Sequence, residues 1–414
     1  HDALPILPDE DIPYGALLKS VLGYVDTEHY SYSDLTSEIY LNSGGLDFSV
    51  GGSQKMGEPG NFTGTFTASV KVLYEKLDFA FEMLEEILLR SKLTDEKRLG
   101  EILDETMSRA RMRLENSSHS SAAMRAASYY SPLSSFYDRT GGIGFYQFLE
   151  KITERCSKEE GYRLKLGKKL MEVAKTLFTA SNMTVSYTAD EEGYGRLPAA
   201  LAAFKAVLPE GNGIRYPYEF KPELKNEGFR TASQVNYVAC CGTFGESAYT
   251  GALKVLKVIL NYEYLWVNLR VKGGAYGCMS SFGRNGETML VSYRDPKLGE
   301  TNRVYEGIPE YLRTFSIDDR DMTKYVIGAF SELDAPLNPA AKGARNLGAW
   351  LSGVTDEMIQ RERDQVLNVT QEDIRALAGL LESVLNTGAL CAIGNDQQIV
   401  NEQELFNEIK HLYH

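Results

Sequence analysis

A short segment near residue 270 gathers side chains that could act on a ligand. Arg270 and Lys272 lie at the end of a helical pattern, and Tyr276 begins a strand-like pattern just after Gly273 and Gly274. A guanidinium offers five fixed donors to carboxylate or carbonyl oxygens, and a phenol can stabilise a developing oxyanion by roughly 2.7–4 kcal/mol. A glycine pair can supply the left-handed backbone that ends a helix. The spacing predicts a guanidinium and a phenol beside glycine backbone that is open to a ligand.

The same residues also have a purely structural interpretation. Basic side chains in the last turn of a helix complement its dipole and need no ligand for that. Tyrosine is also common in strands. Spacing by itself therefore leaves the ligand-binding and the structural interpretation open.

No complete catalytic or metal-binding motif accompanies this segment. The histidines, which are His1, His29, His119, His411 and His414, form neither His-Glu-x-x-His nor the inverted His-x-x-Glu-His pattern. His411 and His414 are close in sequence, but no third ligand is evident, so a solvated tail is favoured over a metal site. Glycine-rich phosphate loops and the Gly-x-Ser-x-Gly elbow are also missing. The chain is therefore expected to hold no metal and to lack a full catalytic set.

The elements that would position Arg270 and Tyr276 recur earlier in the chain. Tyr14-Gly-Ala-Leu-Leu-Lys19 aligns with Tyr249-Thr-Gly-Ala-Leu-Lys254, and each opens a helical pattern. Each copy continues with a Gly-Gly pair, strand-like segments and two amphipathic helices, and closes with a helix and a strand. The strand-like segments are Thr63–Val72 in the first copy and Ala275–Phe282 with Thr288–Tyr293 in the second. The closing helix and strand are Leu164–Phe178 and Met183–Thr188 in the first copy, and Gln371–Leu385 and Ala389–Ile393 in the second.

Proline and glycine mark the boundary between the two copies. The segment Glu191–Arg230 is rich in both, contains one short helical pattern over Leu197–Val207, and is otherwise typical of a linker. The sequence predicts a first domain over 1–210, a linker over 211–228 and a second domain over 229–414. Each domain is expected to be an α+β unit, with helices packed on a mixed, mainly antiparallel sheet.

Helix caps place several of these elements more closely. Thr94 and Ser316 each precede acidic residues and are predicted to cap the helices that follow them. Thr370 with Asp373 predicts a capping box at the start of the closing helix.

The two copies differ at their starts. The second opens with a predicted strand over Thr231–Cys241, whose counterpart in the first copy would lie mostly before residue 1. The residues found there, HDALPILPDEDIP, are too few and too rich in proline to replace it. We therefore expect a fragment that begins inside a domain, whose first sheet has an unpaired edge.

Composition narrows the class of protein. The 414 residues carry a net charge of −13, which argues against nucleic acid as a partner because phosphate binding needs clustered basic residues. No apolar run reaches the length of a membrane span, and the start has no signal-peptide pattern. The cysteines form no Cys-x-x-Cys pair, which favours a reducing compartment. The adjacent Cys240 and Cys241 are expected in the core.

The segment around Arg270 resembles a known family. Leu269-Arg-Val-Lys-Gly-Gly-Ala-Tyr-Gly277, followed by Tyr293-Arg-Asp-Pro296, is similar to the last domain of presequence proteases. These are zinc metallopeptidases of the pitrilysin/insulinase superfamily. The opening segment Pro13–Thr27, together with Tyr30–Leu35 and Gly44-Gly45, resembles the third domain of the same enzymes. The resemblance covers essentially the whole chain.

The resemblance implies a fold of four similar α/β domains, arranged as two half-bowls around a closed chamber. This chain would be the C-terminal half, and zinc would be held by the absent N-terminal half. Tyr276 would hydrogen-bond the scissile carbonyl of an unstructured peptide, and Arg270 would hold the substrate backbone or orient that tyrosine. Gly273 and Gly274 would lie against the substrate. The chain alone would then neither bind zinc nor cleave peptides.

Two other assignments stay open. The chain could be a non-catalytic scaffold of the same fold, or a separate subunit that pairs with a zinc-bearing chain. The first-copy positions that match Arg270 and Tyr276 fall near Tyr40, Leu46 and Asp47, which predicts a chamber wall rather than a second site. The expected partners are a peptide and the zinc-bearing half, without nucleic acid or membrane. The expected location is the bacterial cytoplasm or, alternatively, an organelle matrix.

Overall fold

The first copy of the repeat is mostly helical. The computed structural model describes residues 7–216 and 218–413. The first unit has strands β1 (Leu46–Gln54) and β2 (Phe62–Val70) and helices α1 (Ile12–Val21), α2 (Tyr32–Asn42), α3 (Leu77–Arg90), α4 (Glu96–Asn116), α5 (Ser118–Ala127), α6 (Pro132–Gly141), α7 (Ile143–Lys158), α8 (Tyr162–Leu177) and α9 (Glu191–Val207). The two strands pair antiparallel as a hairpin.

The second copy contains a larger sheet. Its strands are β3 (Glu227–Thr231), β4 (Tyr237–Thr243), β5 (Gly277–Phe282), β6 (Glu287–Tyr293), β7 (Ala389–Asn395) and β8 (Glu408–His411). Its helices are α10 (Ala252–Ile259), α11 (Gly299–Glu306), α12 (Ile308–Arg313), α13 (Asp319–Leu333), α14 (Pro339–Ser352), α15 (Asp356–Leu367), α16 (Gln371–Ala376), α17 (Ala378–Asn386) and α18 (Asp396–Asn401). The strand order is β5-β6-β4-β7-β3-β8. Only the β3–β7 and β3–β8 pairs are parallel, so the expected mixed, mainly antiparallel sheet is confirmed here.

This sheet is buried on both faces. Successive side chains of a strand point to opposite faces, so Val238 and Cys240 join the core formed with α10, while Ala239 and Cys241 face α5 of the first unit. Both cysteines are buried, as the sequence predicted. Because each face has its own helical layer, β4 can be apolar along almost its whole length.

Helix α5 therefore joins the two units. Ala122, Ala123, Ala126 and Ala127 are buried in the core that this helix shares with the large sheet. Their small side chains let the helix backbone approach closely, and the Cys241 thiol donates to Ala123 O at 3.5 Å. One face of the second sheet is thus covered by the first unit.

One strand prediction for the first unit was wrong, and one strand was missed. Met183–Thr188 forms no strand, whereas its counterpart β7 pairs with β4 and β3. Among residues 7–216 no strand corresponds to β4, so Met183–Thr188 lacks a partner of that kind. The sequence analysis also missed β1, whose glycines and serines give it low strand propensity; pairing with β2 over the whole hairpin outweighs that propensity.

Some helix boundaries in the structure differ from the predicted ones. Asp95 caps α4 and Asp318 caps α13, in place of Thr94 and Ser316. The Thr370–Asp373 capping box is confirmed. The predicted helix over Gln371–Leu385 is divided into α16 and α17, and the helical pattern Leu197–Val207 extends back to Glu191 as α9. None of the helices in the described ranges has both the length and the hydropathy to cross a bilayer.

Candidate functional site

The helix that leads to Arg270 changes its winding before it ends. Helix α10 continues directly into two π-helical runs, Leu260–Tyr264 and Trp266–Lys272. Wider π turns are rare and occur frequently at functional sites. In this segment Leu265 and Leu269 stay in the core, while Trp266 and Arg270 face outward.

Gly273 and Gly274 end this helix for two different reasons. Gly274 has φ +86°, the left-handed conformation that L side chains rarely adopt. Its N–H donates to Arg270 O at 3.0 Å, and the next N–H, of Ala275, donates to Leu269 O at 2.9 Å. Gly273 is right-handed, but a Cβ there would lie 2.6 Å from Leu269 O. A side chain at either position would therefore disfavour this sharp turn from the helix into β5.

This turn brings Arg270 and Tyr276 together. The guanidinium carbon of Arg270 lies 5.5 Å from the centroid of the Tyr276 ring and 4.1 Å from that of Trp266. Tyr276 is 63% exposed, and Arg270 is also exposed. Neither side chain forms a hydrogen bond or ion pair with another residue in the described part of the chain. Lys272, in contrast, donates to Asn268 Oδ1 at 3.3 Å. Both functional groups are thus open to a ligand.

Further aromatic rings extend the site toward the first unit. Tyr276 contacts Tyr293 at a centroid distance of 5.8 Å, and Tyr293 contacts Tyr237 at 5.6 Å and His119 at 4.9 Å. His119 belongs to α5, so the first unit contributes to this row. Burial lowers the pKa of His119, which favours the neutral imidazole at pH 7. Sequence reasoning missed His119 and Tyr293 as members of this row, because no spacing rule connects α5 with β6. It also missed Trp266 beside Arg270, although the two are four residues apart in one helical run.

The described residues contain no place suited to zinc. No cluster of three or more His, Cys, Asp or Glu side chains in the described ranges could hold a metal ion. His29 Nδ1 lies 2.9 Å from Glu86 Oε2, and His411 is exposed on β8. His1 and His414 lie outside the described residues. A zinc ion does not fit the donor groups seen here.

A cavity of about 1050 Å³ lies away from Arg270 and Tyr276. Phe62, Phe136, Tyr218 and Trp350 are among its lining residues. Arg270 and Tyr276 are not part of its wall, so the two functional groups lie on an accessible surface that the helix–strand turn creates.

Comparison with known families identifies both units. Residues 2–152 match the family of domains associated with subfamily C of the M16 peptidases, and residues 226–395 match the family described as "PreP C-terminal domain". Each of these two regions is thus similar to the family whose model it matches. This confirms the resemblance to presequence proteases that the segments around Tyr14 and Arg270 indicated.

Curated relatives agree with this assignment. Protein HypA of Clostridium perfringens is 33% identical over 98% of this chain and 41% of its own length. Presequence protease 1, chloroplastic/mitochondrial, of Arabidopsis thaliana is 27% identical over 99% of this chain and 38% of its own length. The chain therefore spans about two fifths of the length of these relatives.

Solved structures confirm the fold. A peptidase M16 inactive domain from Pseudomonas fluorescens aligns with TM-score 0.61 at 15% identity, covering 95% of this chain and 90% of that one. Pitrilysin aligns with TM-score 0.58 at 13% identity, covering 95% of this chain and 39% of that one. These alignments extend over both units, so the arrangement of the units belongs to the pitrilysin-like fold.

Proposed function

We propose that this chain is the substrate-binding C-terminal half of a peptidase that degrades unstructured peptides. The observation that carries the proposal is the exposed, unpaired guanidinium of Arg270, within 5.5 Å of the exposed ring of Tyr276. Basic and phenolic groups placed together without acidic partners are suited to oxygen atoms of a ligand. The relatives that are named presequence proteases support a peptide as that ligand.

Each residue of the proposed site has a separate role. The Tyr276 hydroxyl donates to the carbonyl oxygen of the scissile peptide bond as that oxygen gains negative charge. Arg270 binds a neighbouring carbonyl oxygen of the substrate backbone and holds the peptide against the phenol. Gly273 and Gly274 present backbone without side chains, so an extended peptide can approach closely.

Zinc and the groups that activate water are assigned to a companion half. The described residues offer no metal site, and the chain spans about two fifths of its curated relatives. We propose domains over 1–210 and 229–414, with a linker over 211–228, and a chamber wall at the first-unit positions near Tyr40, Leu46 and Asp47. The bacterial cytoplasm is the proposed compartment; the Arabidopsis relative, named chloroplastic/mitochondrial, supports an organelle matrix as the alternative.

Changing Tyr276 to Phe tests the proposal. In the enzyme assembled with its zinc-bearing half, loss of the hydroxyl should lower kcat roughly 100-fold and change KM less than about threefold, because the hydrogen bond strengthens in the transition state. Steady-state kinetics on a fluorogenic peptide would measure both constants. Tyr262→Phe is the matched control, because Tyr262 is 68% exposed on the same helical segment but lies outside the ring row.

Two results would contradict the proposal. Unchanged turnover by Tyr276→Phe would remove the phenol from the reaction and favour a non-catalytic scaffold. Peptide cleavage by these 414 residues alone would show that the chain carries its own complete catalytic set.

A further inference from the structure

Arg294 has an unfavourable backbone conformation next to the proposed site. Its φ is +48°, and among the described residues Asn226 is the only other non-glycine with positive φ. Such a conformation costs of order 1–3 kcal/mol and is retained only where the surroundings enforce it. Strained residues of this kind cluster at active sites and ligand clamps.

The strand ends on either side of Arg294 hold it in this conformation. Its carbonyl oxygen accepts from the Tyr276 N–H at 3.3 Å. The next residue, Asp295, is buried; it pairs with Asn236 through both backbone groups and accepts from Thr301 Oγ1 at 2.6 Å. These contacts fix the backbone but leave the Arg294 side chain directed away from the core, and it is exposed.

The guanidinium of Arg294 has no acidic partner in the part of the chain that the structure describes. It lies 5.6 Å from the centroid of the Tyr293 ring and forms no hydrogen bond or ion pair with another described residue. Acidic partners are abundant in a chain with 57 acidic and 44 basic residues, so an unpaired arginine is unexpected. Tyr276 and Tyr293 are in contact, so each ring of this pair carries one unpaired guanidinium, Arg270 at Tyr276 and Arg294 at Tyr293.

We infer that Arg294 is a second substrate-binding residue, which takes a carboxylate of the bound peptide at the Tyr293 end of the site. The inference rests on the proposed function and adds a substrate preference to it. A guanidinium fork matches a carboxylate in two parallel hydrogen bonds. The path from one guanidinium to the other runs through the two rings, in steps of 5.5, 5.8 and 5.6 Å. The two guanidiniums are therefore no farther apart than about five residues of extended chain, at roughly 3.4 Å per residue. One peptide can therefore contact both.

A carboxylate of a peptide can come from an acidic side chain or from the C-terminus. Three fluorescently labelled peptides of one unstructured sequence separate these sources: one with an internal Glu and an amidated end, one with Gln and a free end, and one with Gln and an amidated end. Fluorescence anisotropy with the protein assembled with its zinc-bearing half, freed of metal by a chelator, gives each Kd without cleavage.

The variants separate charge from backbone conformation. Arg294→Asn removes the guanidinium, while Asn tolerates positive φ, so the turn is retained. Arg294→Lys keeps the charge but not the fork. Arg320→Asn, at an exposed arginine of α13, controls for the change in net charge.

A preference for one carboxylate peptide should depend on Arg294. We expect Arg294→Asn to weaken binding of at least one carboxylate peptide about tenfold and binding of the neutral peptide less than twofold, with Arg294→Lys in between. Equal weakening of all three peptides would assign a structural role to Arg294 and overturn the inference. So would unchanged binding of all three. In either case, a lowered kcat of Tyr276→Phe would still support the proposed function. If Tyr276→Phe left kcat unchanged, the comparison of Kd values would still decide the role of Arg294.

Discussion

At the scale of single residues, Trp266 has a role that its exposure does not suggest. Its indole lies under the Arg270 guanidinium at 4.1 Å from the ring centroid, and Tyr276 borders the same guanidinium. An unpaired arginine on a surface would otherwise sample many rotamers. Contact with the two rings restricts it, so under the proposed function we expect Trp266 to act as a positioning residue for Arg270.

Replacing Trp266 by Leu should therefore weaken substrate binding without unfolding the protein. A cation–π contact at an exposed site contributes about 0.5–1 kcal/mol, so KM should rise roughly two- to fivefold while kcat changes little. Trp266→Phe should restore most of the loss, since a ring face is kept. Tyr262→Leu on the same helical segment is the control. If Phe and Leu gave the same KM, stacking would not be what positions Arg270.

The extent to which the site could be predicted follows from sequence distance. Arg270 and Tyr276 lie on either side of a single chain reversal, so the helix end and the glycine pair were enough to predict from local sequence that they are close. Trp266 is a helical neighbour that the residue pattern could have revealed. His119 and the positive φ of Arg294 depend on packing between α5, β5 and β6, which no local pattern contains.

At the scale of elements, the turn between the π-helical end and β5 sets the geometry of the site. Gly274→Ala should cost about 1 kcal/mol of unfolding free energy because of its positive φ, and Gly274→Asn should cost less. Gly273→Ala should cost more and also lower activity, because the new Cβ would meet Leu269 O at 2.6 Å and move the helix end. Urea unfolding and peptide kinetics measure the two effects.

Gly348 offers a matched control for these substitutions. It lies in α14, and a Cβ there would meet nothing within 4 Å, so Gly348→Ala should be neutral or slightly stabilising. If Gly273→Ala behaved like this control, the close approach to Leu269 would not constrain the turn.

Element boundaries show what local sequence cannot decide. Thr94 and Asp95 both offer a capping oxygen, and Ser316 and Asp318 do as well; the side chain that accepts the helix N–H is Asp in each case. Either choice satisfies the capping rule, so only the path of the preceding chain selects between them. Met183–Thr188 failed as a strand for a different reason, because strand formation depends on a partner that lies elsewhere in a chain.

At the scale of the whole molecule, a buried ionic network links the two units at the edge of the shared core. Glu227 of β3 is fully buried and accepts from Arg125 of α5 at 2.5 and 2.9 Å. Lys410 of β8 and the Tyr129 hydroxyl also donate to it, at 2.9 and 3.0 Å. Because α5 also positions His119, this network fixes the first unit's contribution to the ring row.

Protonation of Glu227 should weaken this link. Burial alone would raise its pKa, but Arg125 and Lys410 outweigh burial and lower the pKa to about 2, from an ordinary value of 4.5. A depressed carboxyl pKa contributes stability that is complete above about pH 4.5 and is lost as the pH falls toward 2. Glu227→Gln should thus lose about 3 kcal/mol of unfolding free energy at pH 7, since Arg125, which is mostly buried, then lies beside a neutral group and keeps only Asp138 as an acidic partner.

The pH profile distinguishes this network from the many surface ion pairs of the chain. The wild-type unfolding free energy, measured by urea titration between pH 7 and 2.5, should fall more steeply below pH 4.5 than that of Glu227→Gln. Glu154→Gln, which removes an exposed pair with Lys158, should leave both the stability at pH 7 and the slope nearly unchanged. Parallel profiles for the wild type and Glu227→Gln would mean that the charge of Glu227 does not stabilise the contact between the two units.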